Sequence, residues 1–297
     1  MNREYISVNK SERIKVRVAT KDMSPFWWKV IKYLGSKSKI AKNIVPILQK
    51  CIDENNITTY IEPFVGGANV IDKISCDKKI GSDTNKYLIA LLNKLKSEPD
   101  CFPTEISKEH YADVKEDFQQ NGNKYEDYYK GLVGFCGAFR GKFFDSCACF
   151  DYESEGRTRN NYKESLNNIL KQRKNILDVD FLVKDYISYK PDEYENCVFY
   201  CDIPYKGTYN YNIEFDYEKF YEWARKLSKN NYVFISEYEM PDDFTLVYEQ
   251  TKKMCLQSQS KRFVVTEKLF KYKGGVWYES HRIMARRLSW IDERYSW

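Results

Sequence analysis

Two kinds of apolar pattern alternate along the chain. Short runs rich in β-prone residues predict buried strands: Thr59-Tyr60-Ile61, Lys79-Ile80-Gly81-Ser82, Val179-Asp180-Phe181-Leu182-Val183, Val198-Phe199-Tyr200 and Tyr232-Val233-Phe234-Ile235. Between them apolar residues recur at helical spacing. Ile40, Ile44, Ile47 and Leu48 form the first such stripe, Leu166, Ile169, Leu170 and Ile176 the second, and Phe220, Trp223, Ala224 and Leu227 the third, behind the capping residue Asp216. Strands alternating with helices predict an α/β fold built on a mostly parallel, twisted, Rossmann-like sheet. Periodicity weakens from Glu98 to about Lys163, which predicts an insertion, and residues 245–270 alternate in short β-like runs.

Composition narrows the classes. A chain of 297 residues, 42% hydrophobic and 16% aromatic, can bury one sizeable core, as a single large domain or as a domain carrying an insertion. Its formal charge of +5 permits nucleic-acid contact only through a local basic face. Nine cysteines, with no signal peptide, read as reduced thiols in a cytoplasmic protein, and no apolar run is long enough to span a membrane. Only two histidines, His110 and His281, are available, and Cys147-Ala148-Cys149 near Cys136 lacks a second pair at finger spacing, so no metal is expected. Chemistry then falls to carboxylates, tyrosines and a bound cofactor.

Candidate chemistry clusters at strand ends. The first strand runs into Glu62-Pro63-Phe64-Val65-Gly66-Gly67-Ala68-Asn69 and an expected helix start, and the second ends on Asp83. Glycines let backbone approach a ligand at the first strand-to-helix turn, and an acid at the tip of strand two is placed to accept from ribose hydroxyls. Together they predict an adenosine-containing cofactor. The three-glycine dinucleotide spacing is missing and no phosphate-loop lysine follows, which favours S-adenosylmethionine over NAD or ATP. Upstream, Tyr33-Leu34-Gly35-Ser36-Lys37 precedes the first helix, where a lysine and exposed donors suit an anionic group or merely cap the helix.

The strongest chemical signal is Asp202-Ile203-Pro204-Tyr205, directly after the strand Val198-Phe199-Tyr200. The exocyclic amine of a nucleobase is a poor nucleophile because its lone pair is delocalised into the ring. Two acceptors, the Asp202 carboxylate and the Ile203 carbonyl, can hold both amine hydrogens and bias the nitrogen toward a tetrahedral, attacking form. Tyr205 can stack on the base face. An ordinary turn is the competing reading of these four residues.

Basic residues supply a candidate nucleic-acid surface. The stretch 131–144 mixes glycines and aromatics with Arg140 and Lys142, and Arg157 and Arg159 follow. Glycine allows close approach to a duplex, aromatics can wedge or stack, and the cations can meet phosphate or a guanine edge. A glycine-containing loop that packs its phenylalanines on the core fits the same residues. Near the end, Lys261 and Arg262 close a cationic, hydroxyl-rich loop able to clamp phosphate.

In order along the chain, Lys32-Tyr33-Leu34-Gly35-Ser36-Lys37, Glu62-Pro63-Phe64-Val65-Gly66-Gly67, Asp83-Thr84-Asn85 and Cys201-Asp202-Ile203-Pro204-Tyr205 resemble the motifs of the Dam-like, D12-type DNA N6-adenine methyltransferases. Ser236-Glu237-Tyr238-Glu239-Met240-Pro241 resembles phage-type members. The family's tetrad is usually Asp-Pro-Pro-Tyr; here Ile203 replaces the first proline, and Ala68 stands where another glycine is common. The resemblance implies the S-adenosylmethionine-dependent methyltransferase fold and double-stranded DNA as partner. Tyr33 and Lys37 would line the cofactor pocket and Phe64 to Ala68 wrap its methionine part. Asp83 would hold the ribose, and Asp185 and Tyr186 bracket the adenine. The expected organisation is an N-terminal arm over 1–30, a catalytic domain over 31–98 and 164–297, and a target-recognition insertion over 99–163 carrying Arg140, Lys142, Arg157 and Arg159. Two other readings stay open: a DNA- and cofactor-binding relative with little or no turnover, and a methyltransferase for cytosine N4, RNA or a protein glutamine.

Overall fold

The computed structural model describes residues 37, 40–154, 156–206, 215–255 and 262–276, with side chains left out at 252–255 and 262–265. Tyr33, Lys261 and the side chain of Arg262 therefore lie outside the described residues, as does the tyrosine-rich loop around Tyr209 and Tyr211. The described chain falls into two units. One comprises 37, 40–50 and Ile61–Tyr186; the other comprises Cys51–Tyr60 and the described part of Ile187–Trp297.

In the first unit, α1 (Ala41–Glu54) begins with the stripe Ala41, Ile44, Val45 and Leu48, all buried as the spacing predicts. β1 (Thr59–Glu62) enters the unit at Ile61. It is followed by β2 (Lys78–Asp83), α2 (Lys86–Ser97), α3 (Lys108–Gln119), α4 (Asp127–Cys136), the hairpin of β3 (Asp151–Ser154) and β4 (Arg157–Asn160), α5 (Asn161–Gln172) and β5 (Val179–Val183). The strands neighbour one another in the order β5-β2-β1. β2 and β5 run parallel from Lys79 opposite Val179 to Asp83 opposite Val183, so Asp83 shares a sheet edge with the segment that follows β5. α2 starts where the Asn85 side chain accepts from the backbone N–H groups of Tyr87 and Leu88, each at 3.1 Å.

Three expectations need correction here. The glycine turn does not open an α-helix; only a single 3₁₀ turn, Ile71–Lys73, follows it. Gln172 on α5 takes the carbonyls of Gly67 and Ala68, at 3.0 and 3.1 Å, which a continuing helix would need for itself. The glycines of 131–144 also serve packing rather than DNA approach. Gly131 lies inside α4, where an added Cβ would stand 2.2 Å from the Tyr87 carbonyl oxygen, and one at Gly134 would stand 2.3 Å from Phe143. Phe143 and Phe144 join Phe118 and Phe135 in an aromatic cluster, leaving Phe139 exposed. On α5 the buried stripe is Tyr162, Ser165, Leu166, Ile169 and Gln172, and Leu170 faces outward.

The second unit contains β6 (Val198–Asp202), α6 (Tyr217–Leu227), β7 (Tyr232–Ser236), β8 (Phe244–Cys255) and β9 (Arg262–Tyr272), with strands in the order β6-β7-β9-β8. β6 and β7 pair in parallel from Val198 opposite Tyr232 to Asp202 opposite Ser236. Val198 to Cys201 and all of β7 are buried, the uninterrupted apolar pattern of strands covered on both faces. α6 is capped by Asp216, whose side chain accepts from Lys219 N–H at 3.0 Å, and buries Phe220, Trp223, Ala224 and Leu227. Each such side chain withdrawn from water contributes about 1.5–3 kcal/mol. In place of short β runs, residues 244–272 form one long antiparallel hairpin, irregular only between Leu246 and Tyr248. Among the described residues no helix is long and apolar enough to cross a membrane, and no group of three or more His, Cys, Asp or Glu side chains can hold a metal ion. Both units join parallel strands to helices, which is the α/β class the alternating pattern predicts.

Candidate active-site clusters

In the first unit the glycine turn and the tip of β2 are tied together. Val65 N–H donates to the Ser82 carbonyl at 2.8 Å, bringing the turn alongside the end of β2. Asp83 then accepts from Gly66 N–H at 3.2 Å and from Asn85 N–H at 3.0 Å. Burial pushes its carboxyl above the ordinary range, against the pull of these backbone donors. Gly66 has φ 48° and Ala68 has φ 55°, left-handed conformations that bring backbone rather than side chains to the turn. Phe64 stacks on Tyr186 with centroids 5.5 Å apart and planes 27° from parallel. Glu62 and Pro63 are buried at the end of β1, Gly67 and Ala68 are buried in the turn, Lys37 is buried ahead of α1, and Asp185 is exposed beyond β5.

These residues suit an adenosyl group. A backbone turn in left-handed conformation, a half-buried carboxylate at a strand tip and a stacked aromatic pair offer close approach, acceptors for hydroxyls and a flat apolar face.

In the second unit Asp202 ends β6, and the three residues after it are held by side chains from elsewhere in the same unit. Tyr217 Oη donates to the Pro204 carbonyl at 3.1 Å. Lys206 N–H donates to Glu237 Oε2 at 3.1 Å, and Tyr238 N–H donates to the other oxygen of the same buried carboxylate at 2.6 Å. Tyr205 Oη donates to Glu267 Oε2 at 2.8 Å, and its ring meets that of Tyr238 at 4.5 Å and 66°. Ile203 is buried while Asp202, Pro204 and Tyr205 are half-buried. Burial, then the charges of Asp202 and Glu267, raise the Tyr205 phenol far above its ordinary value, so it remains a neutral donor.

The basic candidates sit around the recognition region of the first unit. Arg140 is exposed at φ 56° in the turn Phe139–Gly141, its guanidinium 5.1 Å from the Phe139 ring centroid. Phe139 N–H donates to the Ser146 carbonyl at 2.8 Å, closing the loop that presents it. Lys142 pairs with Asp145 at 2.9 Å, and Arg159 grips Glu164 with two bonds of 2.6 and 2.8 Å. Arg157 is exposed at the start of β4. Exposed pairs of this kind contribute about 0–1 kcal/mol, so phosphate can displace them.

Sequence reasoning passed over the residues that hold these clusters in place. Glu267, Tyr217 and Gln172 carry no motif. Gln172 alone leaves a trace, a polar residue on the buried stripe of α5, three positions after Ile169.

Residues 33–141 match the model of the D12 class N6 adenine-specific DNA methyltransferase family. The Type II methyltransferase M.MjaIII of Methanocaldococcus jannaschii is 33% identical over 120 residues, 34% of this chain and 40% of that protein. The Type II methyltransferase M.FokI of Planomicrobium okeanokoites is 26% identical over 219 residues, 66% of this chain and 32% of that protein. The chain thus spans less than half the length of these curated relatives. Among solved structures, the rRNA methyltransferase aviRa from Streptomyces viridochromogenes aligns at 10% identity with a TM-score of 0.37, covering 80% of this chain and 84% of that one. The D12 resemblance read from the motifs is borne out over the matched residues, which hold the glycine turn, Asp83 and Arg140. The tetrad lies beyond them.

Proposed function

We propose that this chain, carrying a D12 class segment over residues 33–141, transfers a methyl group from S-adenosylmethionine to N6 of an adenine flipped out of duplex DNA. The observation that carries this reading is the tetrad's position. An acid, a backbone carbonyl and an aromatic ring follow one another at the C-terminal end of a buried parallel strand. That placement is independent of the family match, which ends before it.

The Asp202 carboxylate and the Ile203 carbonyl accept the two hydrogens of the amine, localising the nitrogen lone pair for attack. Tyr205 stacks on the base and offsets part of the cost of unstacking it, on the order of a few kcal/mol. The turn does not depend on a proline at 203. Bonds to the Pro204 carbonyl and the Lys206 N–H fix the peptides on its far side, and burial fixes Ile203 itself. S-adenosylmethionine, when bound, supplies an electrophilic methyl on a sulfonium that leaves readily. Asp83 would accept from its ribose, Phe64 and Tyr186 would offer it aromatic faces, and Asp185, Lys37, Tyr33 and the turn from Glu62 to Ala68 would complete its surroundings. Because the leaving group is good, positioning supplies much of the rate and no strong base is required. Arg140, Lys142, Arg157, Arg159, Lys261 and Arg262 would meet the duplex, with Arg140 best presented. A cytoplasmic location belongs to the same proposal.

The test is incubation with unmodified duplex and methyl-labelled cofactor, followed by digestion and nucleoside mass analysis. N6-methyladenine is expected, and Asp202→Ala should lower its formation by roughly 1,000-fold or more. N4-methylcytosine as the product, or label incorporation that survives Asp202→Ala, would remove this reading.

A further inference from the structure

A ring that stacks on a flat substrate must be held at one angle, and a tyrosine side chain has two torsions to restrain. Tyr205 meets two partners that do this. Its hydroxyl donates at 2.8 Å to a carboxylate 62 residues away, and Tyr238 closes on the ring edge-to-face at 4.5 Å. The carboxylate has a rigid base. Glu267 lies within β9 opposite Gln250 of β8, two residues before Leu269, which is fully buried and paired with Ser236 of β7. Strand side chains alternate, so Glu267 and Leu269 leave β9 on the same face. A hydroxyl donating to an ionised carboxylate also makes one of the stronger kinds of hydrogen bond.

Resting on the assignment of Tyr205 to the target base, we infer that Glu267 is a positioning residue that holds the Tyr205 ring at the angle at which a flipped base can stack on it. It touches neither base nor cofactor and takes no proton. Its effect passes entirely through the phenol.

The experiment is a double-mutant cycle of Tyr205→Phe, Glu267→Ala and the two combined, with Glu267→Gln as the conservative variant whose amide oxygen still accepts. Methylation of adenine-containing duplex gives kcat and KM for DNA. Each single variant should lower kcat roughly 10- to 100-fold while KM moves less than about threefold, since a misplaced ring costs rate more than affinity. The double variant should be no slower than the slower single, and Glu267→Gln should recover to within about threefold of the unsubstituted protein. Losses that multiply in the double variant, or a Glu267→Gln as slow as Glu267→Ala, overturn the inference. Tyr205→Phe removes the same bond without touching β9, so the test survives if Glu267→Ala does not fold.

A second readout needs no turnover. A duplex made by polymerase extension with 2-aminopurine replacing part of its adenine reports stacking through its fluorescence. Emission in the complex should be alike for the unsubstituted protein and Glu267→Gln and differ for Tyr205→Phe and Glu267→Ala. Equal emission from all four overturns the inference. If the protein transfers no methyl but emission separates the variants as stated, the proposed reaction fails and the positioning role stands.

Discussion

The glycine turn after β1 and the tetrad after β6 both leave the C-terminal end of a strand, yet they are built from different materials. The first is shaped by backbone: left-handed conformations at Gly66 and Ala68, a peptide bond to Ser82, and one carboxylate, Asp83, gathering two N–H groups. The second is shaped by side chains reaching in from α6, from the end of β7 and from β9. A backbone-built turn tolerates few side chains because each adds a Cβ or a φ penalty. A turn braced by side chains tolerates change within itself, which accounts for isoleucine at 203, and becomes sensitive at distant braces.

The largest effect should therefore fall outside the tetrad. Glu237→Ala leaves the N–H groups of Lys206 and Tyr238 without their carboxylate at a buried position, and should lower unfolding free energy by about 3 kcal/mol. Urea denaturation measures it; a change below about 0.5 kcal/mol would mean the brace is idle.

A smaller effect of opposite sign is expected at Lys271. This side chain is buried in β9 with its amine 5.3 Å from the centroid of the Phe234 ring, and burial pushes its pKa well below 10.5. Between that lowered value and 10.5 the unfolded chain binds the proton and the folded chain does not, so the wild-type protein gains stability as pH rises through this window. Lys271→Met removes the ionisable group and should raise stability by about 1 kcal/mol near pH 7. The gap should narrow toward pH 10 in melts recorded across that range.

The smallest concerns the backbone-built turn. Ala68 occupies a left-handed conformation that glycine adopts freely, at the cost of about 1–2 kcal/mol. Ala68→Gly relieves this but loses a buried methyl and loosens the unfolded chain, leaving a net gain of up to about 1 kcal/mol. Thermal unfolding checks the sign, and a clear loss would place the turn's shape in its packing rather than its torsions.

Strand and helix identities were legible because burial imposes its own period: Val198 to Cys201 and Tyr232 to Ile235 are apolar without interruption, and α6 shows a stripe behind Asp216. The motifs were legible for a related reason. A glycine that must adopt φ 48°, or an acid that must end a strand, is required locally and so leaves a local mark. The insertion was harder to read. Gly131 and Gly134 gave it a loop-like composition, whereas both are helical glycines chosen for close packing against Tyr87 and Phe143, residues too distant in the chain to announce the contact. The same reason hid Glu267 and Gln172. A hydrogen bond across 62 or 105 residues needs only one acceptor or donor at the right height on a strand or helix, and a single polar residue bears no period or spacing from which its partner can be inferred. The local chemistry of each cluster is therefore written in consecutive residues, while the rigidity that makes the chemistry usable comes from chain closure alone.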